Sequence, residues 1–105
     1  KSVVGTGISH SFLLTMKVSL EISMYPLIED YKPIINGFLK RLNSHGLQTV
    51  TNGMSTQVFG EYDEVMNALN ASLKPSFEDE TKVSVSIKIL NGHLPPDRWD
   101  PNAWS

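Results

Sequence analysis

Two stretches of alternating apolar and polar residues stand far apart in this chain, at residues 17–25 and 82–90. A period of two predicts β-strands with one buried face and one exposed face, because successive side chains of a strand point to opposite sides. We therefore expect one side of each strand to be buried in the same core. The positions predicted to face inward are Val18, Leu20, Ile22, Met24, Val83, Val85, Ile87 and Ile89.

A helix is predicted after the first strand, which Pro26 closes because proline cannot donate to a strand ladder. The helix begins at Lys32-Pro33, since proline suits the first helical turn, and ends before Gly46, which can adopt the left-handed cap conformation. Its apolar positions recur at helical spacing. They are Ile34, Ile35, Phe38, Leu39 and Leu42.

A hairpin and a second helix are predicted next. Residues 47–52 and 55–59 form two short strands around Asn52-Gly53, a pair typical of tight turns. Gly60 is expected to end the second of these strands, and Lys74-Pro75 to end the helix that follows. The apolar stripe of this helix is Val65, Met66, Ala68, Leu69 and Leu73.

The element order is strand, helix, strand, strand, helix, strand. Right-handed crossovers turn this order into an α+β, ferredoxin-like βαββαβ sandwich, with a four-stranded antiparallel sheet and two helices on one face. We expect the first and last strands to lie side by side at the centre of the sheet. The helix-free face is then lined by Ser19, Glu21, Ser23, Tyr25, Ser84, Ser86 and Lys88.

The chain, at 105 residues, is long enough for one core and too short for two. We place the ligand-binding domain at residues 16–91, with Met16 as a native start. Residues 1–15 are interpreted as an N-terminal extension of non-native or upstream origin. Residues 92–105 are interpreted as an irregular tail that resembles the start of an affinity tag.

Composition excludes several classes of partner. A formal net charge of −2 and a pI near 5.9 leave no basic surface for nucleic acid. No apolar run approaches the roughly 20 residues that a membrane span requires. Cysteine is absent, which excludes disulfides and is compatible with a reducing compartment. We therefore expect a cytoplasmic protein without nucleic-acid or membrane partners.

Glu21 is the most informative polar residue of the predicted open face. A carboxylate in the middle of a strand runs against strand propensity, and its neighbours on this face are the small residues Ser19 and Ser23. One interpretation is a recess in which Glu21 attracts a cation or accepts from an amine, with Tyr25 offering an aromatic face. The other is a solvated sheet on which Glu21 pairs with Lys88 across two strands.

The sequence gives little support for a catalytic site or a metal-binding site. The three histidines, His10, His45 and His93, lie far apart, and no metal site is expected. A phosphate-binding hydrolase of this topology would need a loop arginine. Only Arg41, expected on a helix surface, and Arg98, in the tail, are present. We predict no catalytic residues and no cofactor, and we interpret Met24, Met54 and Met66 as core residues.

Several segments between residues 16 and 90 resemble the YkoF-like thiamine-binding family. They are LEISMYPL at 20–27, Gly46-Leu47, NGMST at 52–56, GEYDEV at 60–65 and the strand 83–89. The most specific pieces are the strand ending in Tyr-Pro-Leu and the Met-Ser-Thr segment that precedes a glycine and an acidic helix start.

The resemblance implies a ferredoxin-like domain that binds thiamine or its hydroxymethylpyrimidine moiety without catalysis, as a homodimer or homotetramer. The site would lie on the open sheet face at a subunit interface. An oligomeric regulatory or interaction module without such a ligand remains the alternative. The ligand-binding residues carried over from the resemblance are Glu21, Ser23, Tyr25, Asn52, Ser55 and Thr56.

Overall fold

A computed structural model describes residues 16–79 and 81–94 of the chain. The predicted order of elements is confirmed: four strands and two helices in βαββαβ sequence. Predictions on residues 1–15 and 95–105, which include His10 and Arg98, lie outside the described residues. The elements are β1 (Lys17–Pro26), α1 (Lys32–Asn43), β2 (Gln48–Thr51), β3 (Thr56–Glu61), α2 (Tyr62–Glu78) and β4 (Val83–Leu90).

The four strands form one antiparallel sheet in the order β2-β3-β1-β4. The predicted pairing of the first and last strands is confirmed, with Leu20 opposite Ile89 and Ile22 opposite Ile87. Their predicted central position is confirmed for β1 and wrong for β4, which lies at the edge of the sheet formed by the described residues. The second crossover runs from β3 over β1, so its strand must join the sheet on the far side of β1.

The core lies between the sheet and the two helices, which pack against each other and against β1. It contains the inward residues of β1 and the buried positions of both predicted helical stripes. Met24 and Met66 pack against it as predicted. Its buried members are Val18, Leu20, Ile22, Phe38, Leu42, Val58, Val65, Ala68 and Leu69.

Two predicted breaks do not occur. β3 continues through Gly60 to Glu61, because Gly60 pairs with Val18 in the ladder. A Cβ on Gly60 would lie 3.2 Å from a methyl carbon of Leu47 and 3.3 Å from one of Val65. Glycine at this position therefore allows close packing and does not end the strand.

The second helix also runs past its predicted end at Pro75 and reaches Glu78. Arg41 of α1 holds this last turn, since its guanidinium donates to the Ser72 carbonyl at 3.0 Å and to the Ser76 hydroxyl at 2.7 Å. Ser72 and Ser76 are both buried. Arg41, which was expected on a helix surface, thus lies half-buried between the two helices and bonds to both serines.

Gly46 adopts the predicted left-handed conformation after α1, with φ of 75°. A Cβ there would have no heavy atom within 4 Å, so an alanine would meet backbone strain alone. We expect Gly46→Ala to lower the free energy of unfolding by about 1–2 kcal/mol. Chemical denaturation measures the change, and Gly53→Ala is the matched control, because Gly53 has equally open surroundings and no positive φ. Equal losses in both variants would contradict the explanation.

Described residues cover one end of the helix-free face and leave its other end open. Residues that follow β4 turn back over the covered end, where the Ser19 hydroxyl donates to the Gly92 carbonyl at 2.7 Å and accepts from the Leu94 amide at 2.9 Å. The His93 ring meets the Phe59 ring edge to face, with centroids 5.9 Å apart. Phe59 faces the same side as its cross-strand partner Ser19 and is thereby buried. The remaining open part of the face surrounds Glu21, Ser23 and Tyr25.

Candidate functional site

The sheet contains a notch where β1 extends beyond its neighbour β3. The β1–β3 ladder ends with Ile22 opposite Thr56, whereas the β1–β4 ladder continues to Pro26 opposite Val83. Residues 23–26 therefore have a strand partner on one side only, within the described part of the chain. Alternate residues of such a strand edge point backbone hydrogen-bonding groups away from the ladder. The notch thus offers polar main chain as well as side chains.

A cavity of about 340 Å³ occupies this notch. Three segments enclose it: the last residues of β1, the connection between β2 and β3, and α1 with the residue before it. The cavity is open to solvent and most of its wall is apolar, as in many small-molecule sites. Its lining residues are Ile22, Ser23, Met24, Tyr25, Pro26, Tyr31, Ile35, Phe38, Leu39, Thr51, Asn52, Gly53, Met54, Ser55 and Thr56.

The β2–β3 connection is held rigidly by two of the predicted site residues. The Asn52 side-chain oxygen accepts from the amides of Met54 at 2.8 Å and Ser55 at 3.1 Å, the arrangement of an Asx turn. The buried Thr56 hydroxyl lies 2.9 Å from that of Thr51. Both contacts fix the wall of the notch, so the Asn52 oxygen and the Thr56 hydroxyl shape the cavity.

Glu21 stands beside the notch and makes two side-chain contacts, of which the sequence suggested the one with Lys88. One of its carboxylate oxygens accepts from the Ser55 hydroxyl at 2.8 Å, and the other lies 3.9 Å from the Lys88 ammonium. The Lys88 side chain is 85% exposed, so this ion pair is screened by water and contributes little. The bond to Ser55 therefore determines where the carboxylate stands, directly next to the cavity wall.

Exposed apolar side chains surround the mouth of the cavity. Tyr25, Tyr31 and Met54 are each exposed although each lines it. Met54 is 84% exposed, so its interpretation as a core residue is wrong. The physical reason is its position inside the turn that Asn52 caps, where a side chain has no core to enter. Two aromatic rings and a thioether thus stand at the entrance.

Five of the six predicted site residues line this one cavity, and Glu21 joins it through Ser55. The structure brings the six together, and their contact with a ligand stays a prediction. Sequence reasoning missed the wall supplied by α1 and the residue that precedes it: Tyr31, Ile35, Phe38 and Leu39. A usable signal was Tyr31, a large aromatic residue immediately before the first helical turn, where it cannot join the buried stripe.

Metal and membrane features were also sought among the described residues. Within residues 16–79 and 81–94, no three His, Asp or Glu side chains converge in a way that could hold a metal ion. His45 follows α1, whereas His93 packs on Phe59. Neither helix in this part of the chain has the length and apolarity needed to cross a bilayer.

Comparison with solved structures identifies the same fold elsewhere. A domain of unknown function, DUF77, from Bacillus cereus has a TM-score of 0.63 at 19% identity, over 84% of this chain and 85% of that one. A Streptococcus pneumoniae protein has a TM-score of 0.69 at 25% identity, over 75% and 90%. A proposed thiamine biosynthesis/salvage protein from Thermotoga maritima has a TM-score of 0.56 at 23% identity, over 68% and 81%.

Sequence comparison gives the family. No curated protein matches the chain significantly. The profile of the YkoF-related family, in contrast, matches residues 17–92, which span every strand and helix described above. The chain therefore belongs to the YkoF-related family.

Proposed function

We propose that this chain binds thiamine or its hydroxymethylpyrimidine moiety in the notch, without catalysing a reaction. The observation that carries the proposal is the Glu21 carboxylate, held by Ser55 beside an apolar cavity whose mouth is aromatic. Membership of the YkoF-related family and the likeness to a proposed thiamine salvage protein support the same ligand class. A second copy of the chain would cover the open face around Glu21 and Tyr25.

The chemistry of the ligand matches the groups available. Thiamine carries a cationic thiazolium and an aminopyrimidine. A carboxylate attracts the first and accepts from the exocyclic amine of the second, and Tyr25 and Tyr31 offer rings for stacking. The unpaired edge of β1 supplies main-chain donors and acceptors for a heterocycle. None of the described residues lining the cavity is positively charged, which favours unphosphorylated ligands.

Calorimetry on ligand-stripped protein tests the proposal with thiamine, hydroxymethylpyrimidine and thiamine diphosphate. We expect saturable binding of at least one of the first two, weaker binding of the diphosphate, and recovery of the ligand unchanged. Absence of binding by both unphosphorylated compounds would refute the proposal.

Glu21→Gln is expected to weaken binding about tenfold, because it replaces a charge-assisted hydrogen bond with a neutral one while keeping an acceptor for Ser55. Lys88→Gln is the matched control, since it removes the other member of the ion pair. It should leave the affinity unchanged or raise it slightly. If Lys88→Gln weakens binding as much as Glu21→Gln, the ion pair and not the carboxylate matters, and the assigned role of Glu21 is wrong.

One observation favours the alternative function, that of a regulatory or interaction module. Met54, at 84% exposed, is better explained by a protein contact than by a small ligand that would cover only part of it. In that case Met54→Ser would change subunit number in native mass spectrometry, while the calorimetric titrations of the unsubstituted protein would give no heat. The two candidate functions are thereby separated.

A further inference from the structure

We propose that the main chain of Met24 selects the aminopyrimidine ring of the ligand: its N–H donates to a ring nitrogen, and its carbonyl accepts from the exocyclic amine. The assignment rests on the proposed function and deepens it, because it names the end of the ligand that enters the notch and the atoms that recognise it. The ring takes the place in the sheet that β3 leaves vacant beyond its last pair with β1, at Thr56.

The direction of the Met24 main chain follows from the bonds at the two ends of β1. In an antiparallel strand the N–H and the carbonyl of one residue point to the same neighbouring strand, and successive residues alternate between the two neighbours. The Met16 carbonyl accepts from the Tyr62 amide at 2.7 Å, on the β3 side. The Leu27 amide donates to the Lys82 carbonyl at 2.8 Å, on the β4 side. The pairing of β1 is continuous in both ladders, so its even-numbered residues point toward β3 and Met24 points into the notch.

The partner that Met24 would have in a longer β3 is engaged elsewhere. Continuing the β1–β3 register by two residues past its last pair places Met54 opposite Met24. Met54 has turned away, because its amide donates to the Asn52 side-chain oxygen at 2.8 Å and its carbonyl accepts from the Ser23 hydroxyl at 3.3 Å. Among the described residues, no backbone bond joins Met24 to the β2–β3 connection. Its N–H and carbonyl are therefore free at the wall of the cavity.

Pro26 limits this edge to a single donor. It is the next residue of β1 that points toward the notch, and proline has no N–H. A ring with a nitrogen acceptor next to an exocyclic amine matches the donor and the acceptor of Met24 together. A ring with an oxo group next to a protonated nitrogen presents the opposite pattern, which places acceptor against acceptor and donor against donor.

The walls of the cavity suit a flat ring that lies in the plane of the sheet. Tyr25 lines the cavity from the helix-free side, whereas Ile35 and Phe38 of α1 line it from the helix-covered side. An apolar slot with a few polar groups at its edge is the usual form of a small-molecule site. Glu21 does not line the cavity and stands on the helix-free face. The cationic ring of thiamine thus stays outside, next to this carboxylate.

Calorimetry with two analogues of thiamine tests the assignment. Oxythiamine has an oxo group in place of the exocyclic amine, whereas pyrithiamine keeps the aminopyrimidine and replaces the thiazolium with a pyridinium. We expect oxythiamine to bind at least about thirtyfold more weakly than thiamine, and pyrithiamine to bind within about threefold of it. Equal binding of thiamine and oxythiamine would overturn the assignment and leave the proposed function intact. Absence of binding by thiamine and by hydroxymethylpyrimidine would overturn both.

Met24→Pro removes the N–H, and Met24→Ala is its matched control. Both substitutions remove the side chain that packs against the core, but only proline removes the donor. The β1–β4 ladder loses no bond in either variant, because the Met24 N–H points away from β4. We expect Met24→Pro to bind thiamine at least about tenfold more weakly than Met24→Ala. Equal affinities of the two variants would overturn the role of the N–H.

Hydrogen exchange of the unsubstituted protein gives a measurement that does not depend on folding of the proline variant. Exchange of the Met24 amide should slow at least about tenfold when thiamine saturates the site, because this N–H gains an acceptor. The Tyr25 amide is the internal control, since it points toward β4 and is already paired there, and its exchange should change less. Unchanged exchange of the Met24 amide at saturation would overturn the assignment.

Discussion

Replacing Phe38 with alanine is expected to lower the free energy of unfolding by about 3–5 kcal/mol and to weaken ligand binding as well. The ring is 1% exposed and belongs to the core, and it also lines the notch cavity. Its removal leaves a void under the site and takes away an aromatic wall. The loss of the aromatic wall should raise the dissociation constant for the bound heterocycle about threefold to tenfold.

Leu42→Ala separates the two effects of the Phe38 substitution. Leu42 lies one helical turn further along α1, is 2% exposed and belongs to the same core, but it does not line the cavity. We expect a loss of about 2–5 kcal/mol in stability with the ligand affinity of the folded protein unchanged. Phe38→Leu, which leaves a smaller void, keeps the comparison possible if the alanine variant does not fold. Equal ligand affinities in Phe38→Leu and Leu42→Ala would show that the ring is only structural.

The strands and helices of this fold could be predicted because their signals are local. The period of two at 17–25 and the helical spacing of the apolar residues after Lys32 depend only on neighbouring residues. The position of β4 at the sheet edge is not local, since an edge strand and a central strand can show the same alternation. The predictions that Gly60 ends a strand and that Pro75 ends a helix were wrong for a related reason. Contacts from other elements, such as those of Arg41 with the last turn of α2, outweighed their intrinsic preferences.

The polar residues of the candidate site could be predicted from the sequence, whereas the shape of the cavity could not. Glu21 stood out because a carboxylate is unusual in a strand. The notch arises from a difference in length between two ladders, which depends on where the β2–β3 turn falls relative to β1. That register is a property of the assembled sheet. The wall residue Ile35 could therefore be assigned to a helix from its spacing, but not to a cavity.

The second substitution with a large expected effect concerns the segment that follows β4. This segment covers part of the helix-free face and leaves the rest accessible. Ser19→Ala is expected to lower the free energy of unfolding by about 1–3 kcal/mol, since the Gly92 carbonyl and the Leu94 amide both lose their bond to its hydroxyl. The loss should be accompanied by release of residues 92–94 and exposure of Phe59. Ser86→Ala is the control, because Ser86 lies on the same face, is exposed and makes no side-chain bond among those described.

Proton NMR of the His93 ring measures this release directly. In the parent protein its resonances should be displaced by the aromatic ring current of Phe59, whose centroid lies 5.9 Å away. In Ser19→Ala they should move toward the values of an unstructured histidine, and the Leu94 amide should exchange faster with solvent. Unchanged His93 resonances in Ser19→Ala would mean that the packing of His93 on Phe59 holds the segment without the serine. With the segment released, the open face would extend from Tyr25 to Phe59, and a ligand confined to the notch should bind with unaltered affinity.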